Sequence, residues 1–197
     1  MNNKLILLLL ILMIIVSSTL LGQVDNQAIN WMTWDEVEKA QEREQRKVLV
    51  DVYTEWCGWC KKMDQTTFKD PDVIRYINEN FYAIKFDAET QETIHFNGRK
   101  FKYVKNGRRG YNQLASDLLK GKLSYPSTVF LNENLDLIQP IPGYLDAKKM
   151  ETVLSYFSEN QHKKTPWTRY EKDYVPMKKR GGMQVTPKTK LALPGQN

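Results

Sequence analysis

The sequence predicts an α/β fold: a central mixed β-sheet flanked by helices, carrying a hairpin-plus-helix insertion. Three observations lead there. A β-branched-rich run at 48–53 and a second strand at 81–87 are separated by helical signals, which makes them parallel strands joined by a crossover. Two further runs, 127–131 and 135–139, flank the polar Asn132-Glu133-Asn134 and read as an antiparallel hairpin. The chain has 197 residues, 41% hydrophobic and 26% charged, enough for one core and unlike disordered, collagenous or disulfide-scaffold compositions.

The first element is an address. Lys4 precedes an unbroken apolar run at 5–16, and Ser17, Ser18, Thr19 and Gly22 follow it. This is the layout of a secretory signal peptide over residues 1–22. A retained membrane anchor is the alternative, because the run is only slightly short of a span. Either way the rest of the chain is expected to be exported, periplasmic or secreted, with membrane contact through this segment alone.

The folded domain is expected over residues 31–160. Thr33-Trp34-Asp35-Glu36 is a capping box that opens a helix to about residue 45. After the 48–53 strand, residues 54–56 turn and a helix starts near Cys57. Asp70-Pro71 supplies an N-cap and an N1 proline for a helix to about residue 80. The insertion spans 88–124. Within it, 94–96 and 101–104 read as a hairpin on Asn97-Gly98, and 111–120 as a helix ended by Gly121. Asp146 caps a last helix to about residue 160. Residues 161–197 hold scattered prolines and basic residues without apolar periodicity, and read as a basic flexible tail.

Charge location excludes one function class. Residues 23–161 carry 19 Lys and Arg against 21 Asp and Glu, whereas residues 162–197 carry nine against two. The net +6 therefore belongs to the tail and not to the domain, and no nucleic-acid binding is expected.

The two cysteines of the chain lie in Trp56-Cys57-Gly58-Trp59-Cys60. At a strand-to-helix junction Cys57 meets unpaired backbone N–H groups and the positive end of the helix dipole, which favour a thiolate. Cys60, one turn on, can attack a mixed disulfide formed at Cys57. Export permits such a dithiol to cycle. Other readings weigh less. Zinc needs two more ligands, and only His95 and His162 exist. A purely structural disulfide would close too short a loop to stabilise much. Inert buried thiols are disfavoured because Gly58 and the turn are expected to expose the site.

Residues 50–61 resemble the active-site strand and helix of the thioredoxin family. The resemblance continues in Tyr125-Pro126-Ser127-Thr128, similar to the family's cis-proline loop, and in Gly143-Tyr144, similar to its groove glycine. Residues 67–73 and 143–147 are similar to segments of the C-terminal thioredoxin domain of the transmembrane thiol reductase DsbD. The resemblance covers about residues 34–158 and implies a thioredoxin-like fold. It also implies a thiol–disulfide oxidoreductase that reduces or exchanges protein disulfides, with no organic cofactor and no metal. The implied partners are protein disulfide substrates and an electron-donor thiol protein, and the chain is expected to be a monomer.

Cys57 matches the attacking cysteine and Cys60 the resolving one. Asp51 matches the buried carboxyl that takes the proton from Cys60, an exposed strand-edge Asp being the alternative. The strand alternation sets it on a face with apolar neighbours. Pro126 matches the cis-proline that leaves a backbone edge for a substrate strand; a proline at a strand start is the bland reading. Trp56, Trp59, Tyr125 and Gly143 would line the groove. The Gly-Trp dipeptide between the cysteines, the long 88–124 segment and Tyr125 depart from the family pattern, which bears on redox potential and substrate choice. Lys85 is a candidate partner for Asp51. Lys100, Lys102, Lys105, Arg108 and Arg109 form a basic cluster, read either as a partner surface or as a solvated hairpin. A client-binding or chaperone-like module without redox turnover is the rival function.

Overall fold

The computed structural model describes residues 28–176. The expected signal peptide at 1–22, and residues 177–197 of the expected tail, lie outside the described residues. In chain order the elements are β1 (Trp31–Met32), α1 (Trp34–Gln41), β2 (Lys47–Tyr53), α2 (Gly58–Gln65), a 3-10 turn (Thr67–Lys69), α3 (Pro71–Asn80) and β3 (Phe81–Asp87). Four short strands follow: β4 (Ile94–Phe96), β5 (Arg99–Phe101), β6 (Tyr103–Asn106) and β7 (Arg109–Asn112). Then come α4 (Gln113–Leu118), β8 (Ser127–Leu131), β9 (Leu137–Pro142), α5 (Ala147–Ser158), a second 3-10 turn and α6 (Trp167–Asp173).

The central sheet runs β1-β3-β2-β8-β9. β2 is parallel to β3 and antiparallel to β8, so the sheet is mixed as expected. Strand alternation divides the core. Val48, Val50 and Val52 bury against α1 and α4, with Trp34, Val37, Leu114 and Leu118. Leu49 buries on the other face, under α2, α3 and α5, with Met63, Ile77, Phe130 and Leu154. Asp51 shares the face of Leu49 by the two-residue period, so it lies on the side of the sheet covered by α2.

The caps form from the expected residues. Thr33 and Glu36 close their capping box, Glu36 accepting from the Thr33 N–H at 2.8 Å. Asp70 Oδ1 accepts from the N–H groups of Asp72 and Val73, and Asp146 accepts from the Lys149 N–H at 2.7 Å. Helix α1 stops at Gln41 rather than 45, because the Gln41 side chain bonds both the N–H and the C=O of Arg46 and fastens the link to β2.

Three expectations are corrected. First, the insertion holds two hairpins. β4 pairs with β5 across Asn97-Gly98, and β6 pairs with β7 across Gly107-Arg108. Residues 101–104 thus belong to two different strands, and the helix begins only after Asn112, whose side chain caps it. Second, the last strand is 137–142, because Leu135 turns with φ 65° and the pairing runs on to Pro142 opposite Ser127. Third, residues 161–176 are not a structureless tail. Trp167 meets Tyr156 edge-on at 5.1 Å, and the Tyr170 ring lies 5.0 Å from it. Tyr156 donates to the Thr165 carbonyl at 2.7 Å. The physical reason is the spacing of Trp167 and Tyr170, which sets two rings on one helix face toward α5, with Tyr174 at the C-cap donating to Glu151 of α5 at 2.8 Å. Among the described residues no helix is long and apolar enough to cross a membrane.

Candidate active site

The site grows from the C-terminal end of β2. The Cys57 N–H donates to the Thr54 carbonyl at 3.1 Å, which tightens the turn and sets Cys57 as the N-cap of α2. Its sulfur accepts from the Cys60 N–H at 3.1 Å, so backbone donors of the first turn point at the nucleophile position. Cys57 and Cys60 form a disulfide with Cα atoms 5.2 Å apart. The expected exposure is corrected in one respect. Cys57 is 5% and Cys60 3% exposed, while the flanking Trp56 and Trp59 are the open surface at 52% and 62%.

The expected groove residues converge around this pair. The Tyr125–Pro126 peptide is cis. Tyr125 meets Trp56 edge-on at 6.0 Å, bringing the proline loop against the residue before Cys57. Gly143 donates its N–H to the Pro126 carbonyl at 2.8 Å. Its φ of 96° is one that L side chains rarely adopt, and no atom lies within 4 Å of where its Cβ would be. Trp59 contacts the Tyr144 ring at 5.4 Å, and Tyr144 is fixed in turn by Thr66.

Asp51 is buried, 2% exposed. Its register partners are Lys85 on β3 and Thr128 on β8. Lys85 Nζ donates to Asp51 Oδ2 at 3.0 Å and also pairs with Asp64. Among the described residues Asp51 Oδ1 has no hydrogen-bond partner. Burial pushes the Asp51 carboxyl up to about 6, although Lys85 pulls it back. Burial also pulls Lys85 down, but the charges and hydrogen bonds of Asp51 and Asp64 outweigh it, so the ammonium titrates above its ordinary value. Asp64 stands four residues past Cys60 in α2, which sets the ion pair beneath the helix that carries both cysteines.

Three participants escaped the sequence reading. Asp64 had a local signal, its place one turn after Cys60. Glu89 accepts from Trp56 Nε1 at 3.0 Å. Arg109, from the insertion, lies over the Trp56 ring with its guanidinium 4.3 Å from the centroid and 4.0 Å from Glu89. Arg109 was visible only as one member of a basic cluster.

A dithiol at a strand-to-helix junction, joined through Trp56 and Tyr125 to a cis-proline loop, defines the site of a thioredoxin-fold protein. A solved thioredoxin-fold protein from Helicobacter pylori superimposes with a TM-score of 0.52 at 17% identity, covering 65% of this chain and 83% of that one. The chain belongs to the Thioredox_DsbH family, described as a protein of unknown function (DUF255), whose family model matches residues 12–176. It is also similar to protein B0495.5 of Caenorhabditis elegans, 26% identical over 127 residues, 64% of this chain and 15% of that protein. The chain thus spans a small part of the length of that relative. The reduced C-terminal domain of DsbD from Neisseria meningitidis aligns at 19% identity and a TM-score of 0.42, covering 64% of this chain and 91% of that one.

Proposed function

We propose that the protein is an exported thiol–disulfide oxidoreductase that reduces or exchanges disulfides in polypeptides through Cys57 and Cys60. The observation that carries this is the Cys57 sulfur at the N-cap of α2, accepting a backbone N–H one turn ahead of its cysteine partner. The reduced protein brings two thiols. The Cys57 thiolate attacks one client sulfur and the client S–S bond breaks. A Cys57–client mixed disulfide forms, and the other client sulfur leaves as thiolate and takes a proton from solvent. Asp51 then takes the Cys60 proton. The Cys60 thiolate attacks Cys57 Sγ, breaks the mixed disulfide and releases the second client sulfur.

Two electrons have passed to the client, and the protein is left as the Cys57–Cys60 disulfide. A donor dithiol protein restores it by the reverse exchange. Trp56, Trp59, Tyr125, Pro126 and Gly143 form the surface on which a client strand lies. The address at residues 1–22 supports action outside the cytoplasm, where client disulfides persist, and the site as described asks for no second copy of the chain.

With dithiothreitol as electron source, the wild-type protein should reduce a disulfide-bonded polypeptide faster than dithiothreitol alone, and Cys57→Ser should return the rate to that background. A rate indifferent to Cys57→Ser overturns the proposal and leaves the client-binding reading.

A further inference from the structure

The insertion is tied to the dithiol turn itself. The Ala88 N–H donates to the carbonyl of Tyr53, the last residue of β2, at 2.8 Å. The Asn112 N–H donates to the Ala88 carbonyl at 2.7 Å, and the Asn112 side chain to the Glu92 carbonyl at 3.0 Å. The base of the β6–β7 hairpin is therefore two hydrogen bonds from the strand that leads to Cys57. The two strands approach closely: Gly110 admits no side chain, because a Cβ there would overlap the Tyr103 ring and the Val104 carbonyl.

From this base Arg109 reaches over Trp56, whose indole N–H is held by Glu89. Glu89 is thus occupied twice, by Trp56 and by Arg109 at 4.0 Å. Residues 102–112 contain no Asp or Glu. Lys102, Lys105 and Arg108 are exposed and make no ion pair among the described residues. Net positive charge on the hairpin that carries Arg109 to Trp56 attracts the opposite charge on an approaching chain at long range.

We propose that the β6–β7 hairpin is the substrate-selecting wall of the dithiol groove, and that it takes polypeptide segments bearing carboxylates beside the disulfide to be exchanged. This rests on the oxidoreductase reading above. Arg109 serves the wall by holding Trp56, and Lys105 and Arg108 supply its attraction. Glu55, Asp87 and Glu89, near the same turn, are the groups that would favour a basic client instead, and the experiment separates the two.

Single-turnover reduction by the reduced protein is measured on three peptides with one internal disulfide each, flanked by Asp and Glu, by Asn and Gln, or by Lys. A small neutral disulfide, bis(2-hydroxyethyl) disulfide, reports the chemistry alone. The acidic peptide should react about tenfold faster than the amide peptide at low salt. The gap should close in 1 M salt, where screening acts over about 3 Å. The double variant Lys105→Glu, Arg108→Glu should lose or reverse the preference while keeping its rate on the neutral disulfide.

Equal peptide rates, a preference for the Lys peptide, or a preference unmoved by the double variant overturns the proposal. Equal peptide rates together with binding to anionic phospholipid vesicles that the double variant loses would assign the hairpin to a membrane surface instead. Failure of the wild-type protein on peptides and neutral disulfide alike overturns the oxidoreductase reading, and this proposal with it.

Discussion

Asp51 combines a buried carboxyl, one oxygen bound to Lys85 and the other without a partner among the described residues. Its pKa of about 6 in the fold, against 3.8 when free, means that the native state holds the proton more tightly than the unfolded chain. The cost of burying the charge is therefore absent below about pH 4, grows between pH 4 and 6, and is complete above that. Asp51→Asn should raise stability at pH 7–8 by on the order of 3 kcal/mol at most and leave it unchanged near pH 4. Lys85 keeps Asp64 as its partner in that variant. Denaturant unfolding at the two pH values checks this, and equal gains at both would refute the titration. The same substitution should slow resolution of the mixed disulfide by about 10²-fold near neutrality, leaving the first attack unchanged, as read by quenched single-turnover kinetics. At the cysteines, both side chains are nearly equally buried, so exposure does not separate them. The helix terminus does, and limiting iodoacetamide at mildly acidic pH should label Cys57 of the reduced protein first. Equal labelling would contradict the assignment. The placement of Cys57, Cys60 and Asp51 was legible because its signals are local: a spacing of three, and a charge inside an apolar strand. Lys85 was legible only as a candidate, and Glu89 and Arg109 not at all as site residues, because their contacts depend on strand register and on where an insertion folds back.

Among the elements, those with caps and alternation were read well and those held by tertiary packing were not. The strands β2 and β8 and the helices opened by Thr33, Asp70 and Asp146 follow from local chemistry. The strand β1 has two residues and exists only because it pairs with β3. The hairpin β6–β7 turns at Gly107-Arg108, where Gly107 has φ 62°, and a single glycine between short polar strands is a weaker signal than the Asn97-Gly98 turn before it. Helix α6 has seven residues, too few to be stable alone. It is held by Tyr156 and by the pairing of Glu171 with Lys149, whose ammonium also lies 4.7 Å from the Trp167 ring centroid. Trp167→Ala should therefore destabilise the protein by about 2 kcal/mol, less than a fully buried tryptophan, because the ring is partly exposed. Thermal unfolding of this variant tests it, and an unchanged melting temperature would return residues 161–176 to the tail.

For the whole molecule, a mixed sheet with two cores places a rigid frame under three site-bearing segments: the end of β2 with the start of α2, the loop before β8, and the turn after β9. The sequence order of strands and helices already implied this frame, because a parallel crossover followed by an antiparallel hairpin admits few arrangements. What it left open was how the 88–124 segment meets the frame, since its contacts are non-local. The account as a whole claims that Cys57 forms, and Cys60 resolves, a covalent bond to a client polypeptide. The most direct measurement incubates reduced Cys60→Ser protein with a disulfide-bonded polypeptide and follows the products by non-reducing electrophoresis and mass spectrometry. The account predicts a mixed disulfide through Cys57 that persists, is released by dithiothreitol, and does not accumulate with the wild-type protein. No adduct with Cys60→Ser, or one that forms equally well with Cys57→Ser, would contradict it.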